Sequence, residues 1–381
     1  MSKETKDNND FASFDEYLRQ GEPSQKECAE NWKTAIGLQA VDGLQPSAYL
    51  IDVAKRNIEG EISIEETRKL IDSYYQSKTA RTPKEEEEEE ADKVSANIAK
   101  ILASKTFAFN TNGYVSLHRR IFEGVFKHAG EIRPYDIAKK EWVLEGDSVN
   151  YLNWEDLRRA LDWDIEQEKN FRYTGLSDDE KTEHIAKFIS GIWQIHAFRE
   201  GNTRTTAVFT IQYLRSLGYK VNNEMFAKHS WYFRNALVRA NYRNIQKGIE
   251  YSPIYLVRFF RNLLLGDGWA LKNRYLHIHP TEDWKEQPNL RNTMPTNNPQ
   301  EKVDRKGGQK TDLVARKGGQ KTKDAILQLI ATNPSISSIE MAKAIGINRS
   351  AISKHLKKLK EEGIIERQGP AKGGKWIILK S

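Results

Sequence analysis

Nine consecutive residues, His196-Ala-Phe-Arg-Glu-Gly-Asn-Thr-Arg204, bring together an imidazole, a carboxylate, a glycine turn and a guanidinium. An imidazole can take a proton from a hydroxyl near neutral pH. A carboxylate can hold a hard divalent cation, and an arginine forks onto phosphate oxygens. Each residue alone has an ordinary use, as a helix-end histidine, a Gly-Asn turn or a solvated charge. Their order and spacing point to chemistry at a phosphate. The flanking elements supply the positioning. From about Glu180 to Ile195, the residues Ile185, Phe188, Ile189, Ile192 and Trp193 recur at helical spacing, so His196 is predicted to stand where a buried helix ends. From Arg204 to Leu217, the stripe Ala207, Val208, Ile211, Leu214 and Leu217 predicts a second helix, with Gly218 as its stop. The loop between them therefore ends at a helix N-terminus, where free N–H groups and the helix dipole favour an anion. Gly201 lets the backbone approach closely.

In these residues the chain resembles the Fic family, whose signature is His-x-Phe-x-Asp/Glu-Gly-Asn-Gly-Arg-x-x-Arg. The resemblance implies transfer of a nucleotide, usually AMP from ATP, to a protein hydroxyl (Ser, Thr or Tyr), on a separate target or on the chain itself. It implies that His196 is the general base and Glu200 the Mg²⁺-holding carboxylate. Phe198 would anchor the loop. Gly201 and Asn202 would cradle phosphate oxygens, and Arg204 would hold the distal phosphates. Ala197 stands where many members have proline. Thr203 replaces the second glycine, and as a helix N-cap its hydroxyl is expected to preserve the nucleotide loop. Ala207 replaces the second arginine, which in the family grips the γ-phosphate and pairs with an inhibitory glutamate, so the choice of nucleotide stays open.

Two earlier stretches extend the likeness. Leu117-His-Arg-Arg-Ile-Phe leads to Ala129-Gly-Glu-Ile-Arg133-Pro, which resembles the corresponding Fic segment. Lys140 to Leu152 alternates and turns at Glu145-Gly-Asp, predicting a β-hairpin. In the family this is a flap that holds the target by strand addition. Nearer the N-terminus, Lys55-Arg-Asn-Ile-Glu59-Gly60 resembles the inhibitory motif Ser/Thr-x-x-x-Glu-Gly/Asn, which makes Glu59 the candidate inhibitory residue. Lys55 stands where Ser/Thr is usual, and Lys55 or Arg56 would have to replace the charge missing at Ala207. The same Glu-Gly pair also reads as a plain helix end. Trp231, Tyr232, Phe233 and Tyr242, interleaved with Arg234 and Arg239, are expected to build the core and its rim.

The 381 residues suit two or three domains. A single cysteine, Cys28, excludes an internal disulfide framework. No apolar run reaches membrane-spanning length and the N-terminus is polar, so a cytoplasmic protein without a membrane partner is expected. The net charge of +7 is uneven, because residues 301–381 hold 18 Lys/Arg against 8 Asp/Glu. Between about Gln287 and Thr322 the chain is rich in Pro, Asn, Lys and Gly and repeats Arg-Lys-Gly-Gly-Gln-Lys-Thr, predicting a flexible basic linker. Beyond it, three short helical patterns and two strands, Ile364–Arg367 and Trp376–Leu379, predict a winged helix-turn-helix. Its third helix would present Arg349, Ser350, Ser353, Lys354, Lys357 and Lys358 to duplex DNA, and its wing would add Lys372 and Lys375. Winged helices also serve as protein-interaction modules.

The expected fold is mainly α: a Fic-type helical core with a β-hairpin flap, plus a small α+β winged helix. The expected domains are a helical inhibitory module at 1–80, an acidic joint at 81–93, a core at 94–286, a linker at 287–323 and a winged helix at 324–381. Two functions follow. One is a Mg²⁺-dependent protein adenylyltransferase restrained by its N-terminal helix. The other is a DNA-binding regulator whose core senses a nucleotide or phosphorylated ligand without transfer.

Overall fold

The computed structural model describes residues 12–78, 82–221 and 224–279, and parts of 323–379. The chain divides into two compact units, 1–295 and 296–381. In the first unit the helices are α1 (Ala12–Gln20), α2 (Pro23–Gly37), α3 (Ala48–Ile58), α4 (Ile64–Gln76), α5 (Pro83–Ala103), α6 (Thr111–Ile121), α7 (Leu157–Asn170), α8 (Asp178–Ile195), α9 (Asn202–Ser216), α10 (Glu224–Asn241) and α11 (Ile254–Leu265).

The stretch expected as one helical module at 1–80 contains four helices, each break with a local cause. Glu22 and Gln25 form a capping box, and Pro23 opens α2. Ser47 caps α3, Gly60 turns with φ 82°, and Ser63 with Glu66 boxes the start of α4. Of the two readings of the acidic stretch after it, an exposed joint or the start of a helix, the structure has the second. Thr82 and Glu85 form a capping box, Pro83 takes the first turn, and α5 then runs unbroken through residue 93 into the core. Carboxylates in a first helical turn are favoured by the dipole, which makes this run tolerable there.

One core joins all eleven helices, from Phe14 and Trp32 through Leu50 and Ile98 to Leu237 and Phe260. At its centre lies α9, buried at every residue from Asn202 to Leu214. A helix enclosed on all sides cannot shift without disturbing its neighbours, so it makes a rigid base for the loop before it. On one side α8 packs against α9, α7 and α11, and on another α6 packs against α9. α8 starts at a Ser177–Glu180 capping box with Asp178, Asp179 and Glu180 in its first turn.

The predicted flap does reverse direction at Glu145-Gly-Asp, but not through a strand ladder. Glu141 and Asp147 share the bond Glu141 N–H to Asp147 O (2.9 Å), residues 142–144 form a 3-10 turn, and Glu145 takes φ 55°. Alternation alone does not supply the paired backbone that a strand needs.

In the second unit, β1 (Ile365–Gln368) and β2 (Lys375–Ile378) pair antiparallel, Ile365 opposite Ile378. They cover a small core of Ile326, Ile330, Met341, Ile352, Leu356, Leu359 and Trp376. The Trp376 indole N–H donates to Ile336 O at 3.1 Å, tying the sheet to the helical part. Among the described residues this is the one sheet. No described helix is long and apolar enough to cross a membrane.

Candidate active site

His196 follows the last residue of α8 and adopts the left-handed conformation, φ 50° and ψ 56°. For a residue with a Cβ this costs roughly 1–2 kcal/mol, so the surroundings must hold it. The holding groups are visible. Arg133 donates from Nε to His196 O (2.8 Å) and from its backbone N–H to Ala197 O (2.9 Å). Asn202 spans the loop, accepting from Phe198 N–H (2.9 Å) and donating to Phe198 O (2.7 Å). His118 accepts from Gly130 N–H through Nδ1 (2.8 Å), while its Nε2 lies 3.1 Å from Glu200 O. Its ring stacks on Phe198, with centroids 3.8 Å apart. Gly201 has φ 71°, and a Cβ there would lie 2.1 Å from the Phe122 ring. Glycine is therefore required twice, for the backbone angle and for the space.

The imidazole of His196 is 3 % exposed and packs against the Tyr151 ring with centroids 4.1 Å apart. Neither ring nitrogen has a hydrogen-bond partner in the protein. Burial first, then the charge of Lys139, hold its pKa well below the ordinary imidazole value, with Arg133 and Arg234 adding to the effect. The ring is accordingly neutral at physiological pH, with a nitrogen able to accept a proton.

Past the loop, Gly201 is the N-cap of α9, and the first capping bond runs from Thr205 N–H to Gly201 O. The N–H groups of Asn202, Thr203 and Arg204 precede it and have no intrahelical acceptor by helix geometry. This corrects the expected role of Thr203. Its hydroxyl does not cap α9 but accepts from the Trp193 indole N–H at 2.9 Å, fastening α8 to α9. The Asn202 side chain is likewise engaged in closing the loop, which leaves its backbone N–H for an anion. Glu200 is exposed, with Oε2 3.4 Å from Lys139 Nζ.

Arg204 is buried and surrounded by groups from the N-terminal half. Nη2 lies 2.7 Å from Glu90 Oε1, Nε 2.8 Å from Asp42 Oδ2 and Nη1 3.0 Å from Gln39 Oε1. The guanidinium also covers the Phe122 ring at 4.8 Å. Glu59, the carboxylate singled out in the sequence, is not brought to this arginine. It accepts a hydrogen bond from Tyr17 beyond the end of α3, the N-terminal carboxylates at Arg204 being Asp42 and Glu90. Ala207 is fully buried in the core.

Several residues that shape the site went unassigned in the sequence. Arg133 and His118 lie in segments noted there, but nothing in their spacing separates a buried backbone clamp from a surface charge. Tyr151, which covers His196, also donates to Glu141 (3.1 Å), and Glu141 pairs with Arg234 (2.7 Å). Of the residues expected at DNA, Lys358 and Lys375 are exposed in the second unit. Arg349, Ser350, Ser353, Lys354, Lys357 and Lys372 lie outside the described residues.

Comparison with known proteins agrees with this geometry. Residues 108–214 match the Fic/DOC family model. The chain carries a Fic domain. Residues 320–366 match a winged helix-turn-helix DNA-binding model, so a Fic domain and a winged helix share one chain. Among curated proteins, the chain is 23 % identical over 209 residues to the protein adenylyltransferase VbhT of Bartonella schoenbuchensis, covering 51 % of this chain and 42 % of that one. It is 29 % identical over 137 residues to the probable protein adenylyltransferase y4lH of Sinorhizobium fredii, covering 33 % of this chain and 62 % of that one. The Escherichia coli probable protein adenylyltransferase Fic is 26 % identical over 118 residues, 30 % of this chain and 55 % of that one. The chain thus spans less than two thirds of each of these relatives. A solved Fic family protein from Desulfovibrio desulfuricans aligns with TM-score 0.44 and 13 % identity over 98 % of this chain and 95 % of that one.

Proposed function

We propose that this protein transfers the adenylyl group of ATP to a hydroxyl of a protein target, a Ser, Thr or Tyr on a partner or on the chain itself. His196 accepts the hydroxyl proton as the oxygen bonds to the α-phosphorus. The bond from that phosphorus to its bridging oxygen breaks, and pyrophosphate leaves. The observation that carries this reading is the state of His196: buried, neutral, and with both ring nitrogens lacking a protein partner beside the N-terminus of α9. A buried polar group without a partner is costly to keep, and a base awaiting a substrate proton accounts for it.

The free N–H groups at the start of α9 suit phosphate oxygens, as any helix N-terminus does. Glu200 offers a single exposed carboxylate, and the described residues contain no group of three or more candidate metal-ligating side chains. That donor set fits Mg²⁺ arriving with a nucleotide, since Mg²⁺ keeps waters and phosphate oxygens as most of its ligands. When bound it would neutralise phosphate charge. ATP as donor is supported by the adenylyltransferase names of the relatives, while Ala207 removes one grip on the γ-phosphate.

Restraint by the N-terminal helices acts in this reading through Glu90 and Asp42, which occupy the arginine that phosphates need. The winged helix binds duplex DNA, supported by its exposed Lys358 and Lys375 and by the basic excess of residues 301–381. A second reading, a DNA-binding regulator that senses a nucleotide without transferring it, is favoured by that occupied arginine together with Ala207. Incubation with ATP labelled at the α-phosphate separates the two. Transfer leaves label on protein after denaturation, and His196→Ala removes it by a factor of about 10²–10⁴ while nucleotide binding persists. Reversible binding alone in the wild type selects the sensing reading.

A further inference from the structure

Arg133 has a fully buried side chain whose nearest carboxylate, Asp136, lies 3.7 Å away and is mostly in solvent. Its guanidinium is instead spent on backbone carbonyls of three segments. Nε donates to His196 O (2.8 Å), Nη1 to Tyr135 O, and Nη2 to Leu152 O (2.5 Å). Its own N–H adds the bond to Ala197 O (2.9 Å). Arg suits such a position because its planar fork presents several donors in fixed directions, which a lysine ammonium cannot copy. His118 and Asn202 also brace the catalytic loop, but these hydrogen bonds stay within the loop and the Gly130 turn. Arg133 alone of these three reaches Leu152, next to the Tyr151 ring that covers His196.

We propose that Arg133 is a positioning residue that locks the flap to the catalytic loop, so that the strained backbone of His196 and the end of the 140–152 flap segment move as one body. The catalytic part of this inference rests on the reading of His196 as the base, and the mechanical part does not. A flap that holds the target and a base that takes its proton must keep a fixed register within a fraction of an ångström. One guanidinium bonded to both backbones supplies that register.

The test has two arms. Hydrogen exchange of the wild-type full chain in graded urea follows amides of 140–152 and 196–201. A locked pair opens with one common free energy and one common urea dependence, whereas separate isotherms for the two segments overturn the proposal. This arm needs no variant and holds even if the protein transfers nothing. In the second arm, Arg133→Lys is compared with Asp136→Asn. Arg133→Lys is expected to raise exchange in both segments together, leave the α8 amides as in wild type, and lower kcat for labelled-AMP transfer about 10–100-fold with nucleotide KM within about twofold. Asp136→Asn is expected to match wild type in both readouts. A uniform rise in exchange over the whole unit, or equal changes in KM and kcat/KM with kcat intact, would show a merely structural arginine. Locked segments in a wild type without transfer would leave the coupling standing and defeat the proposed function alone.

Discussion

Releasing Arg204 from its carboxylates should strengthen nucleotide binding and weaken the unliganded fold, two effects with one origin. The arginine is 2 % exposed, while the side chains of Glu90 and Asp42 are 25 % and 37 % exposed. Breaking a fully buried ion pair costs about 3–5 kcal/mol, and a surface pair is worth about 0–1 kcal/mol. The partial exposure puts Glu90→Gln between these limits. Because Arg204 faces two carboxylates, one substitution still leaves a matched pair, which holds the loss to about 1–2 kcal/mol. If a phosphate must displace this contact, the same energy is subtracted from nucleotide binding in the wild type. Removing it should tighten Mg-ATP binding about 5–30-fold, since each 1.4 kcal/mol is about tenfold.

Titration calorimetry with Mg-ATP, run beside thermal unfolding without ligand, measures both sides. Glu90→Gln and Asp42→Asn should each tighten Kd while lowering Tm, and Glu59→Gly, whose carboxylate meets Tyr17, should change Kd less than twofold. A lowered Tm with unchanged Kd would refute the reasoning, because Arg204 would then keep its carboxylates in the nucleotide complex. A tighter Kd in Glu59→Gly would mean that inhibition runs through the motif read in the sequence.

Three further outcomes follow. Gly201→Ala combines a positive φ with a Cβ 2.1 Å from Phe122, so it should lose about 2–4 kcal/mol from left-handed strain plus overpacking; stability within 0.5 kcal/mol of wild type in urea unfolding would contradict the packing described. Burial lowers the His118 pKa to about 4, so its stabilising contribution is complete above about pH 6.5 and is lost as pH falls toward 4, about 3 kcal/mol in all. Burial raises Asp92 to about 6, so it takes up its proton in the fold first and offsets that loss; Asp92→Asn should therefore lose about 3 kcal/mol more than wild type between pH 6 and 4, and parallel curves would reject this. For DNA, about five lysine contacts from the recognition helix and wing imply a slope of log K against log salt of about −4 to −5 in the full chain, and a flat salt response would assign the winged helix to protein contacts.

What the sequence made legible was local. The apolar stripe from Ile185 to Trp193 was enough to end α8 at His196, and the stripe from Ala207 to Leu214 was enough to start a helix after the loop, since both patterns depend on a 3.6-residue period. What it could not show depends on partners far along the chain. Thr203 looks like an N-cap from its neighbours, yet its hydroxyl answers an indole N–H from the preceding helix. The Lys140–Leu152 alternation looks like a hairpin, yet Glu141 is drawn inward to Arg234 and Tyr151, and the backbone folds around that buried pair instead of forming a ladder. Glu59 matches a short motif, but a motif does not carry the direction in which the end of α3 points, and α1 supplies Tyr17 to meet it.

The acidic run shows the same limit from the other side. Six consecutive glutamates repel one another and read as a solvated face, yet only Glu86 and Glu87 are exposed and the other four are half-buried. At a helix N-terminus the dipole favours such charges, and Lys84 and Lys93 pair with Glu88 and Glu89 at i,i+4 spacing. The run is thus supported locally up to Glu89, and Glu90 is the residue whose ion partner, Arg204, comes from the Fic domain. Because α5 continues from Glu90 directly into the buried stretch ending at Leu102, the arginine contact and the docking of the N-terminal helices are parts of one rigid element. Any ligand that claims Arg204 must therefore work against the packing of α5 as well as against one carboxylate, and this is why nucleotide affinity and the stability of the unliganded unit should move in opposite directions when Glu90 is changed.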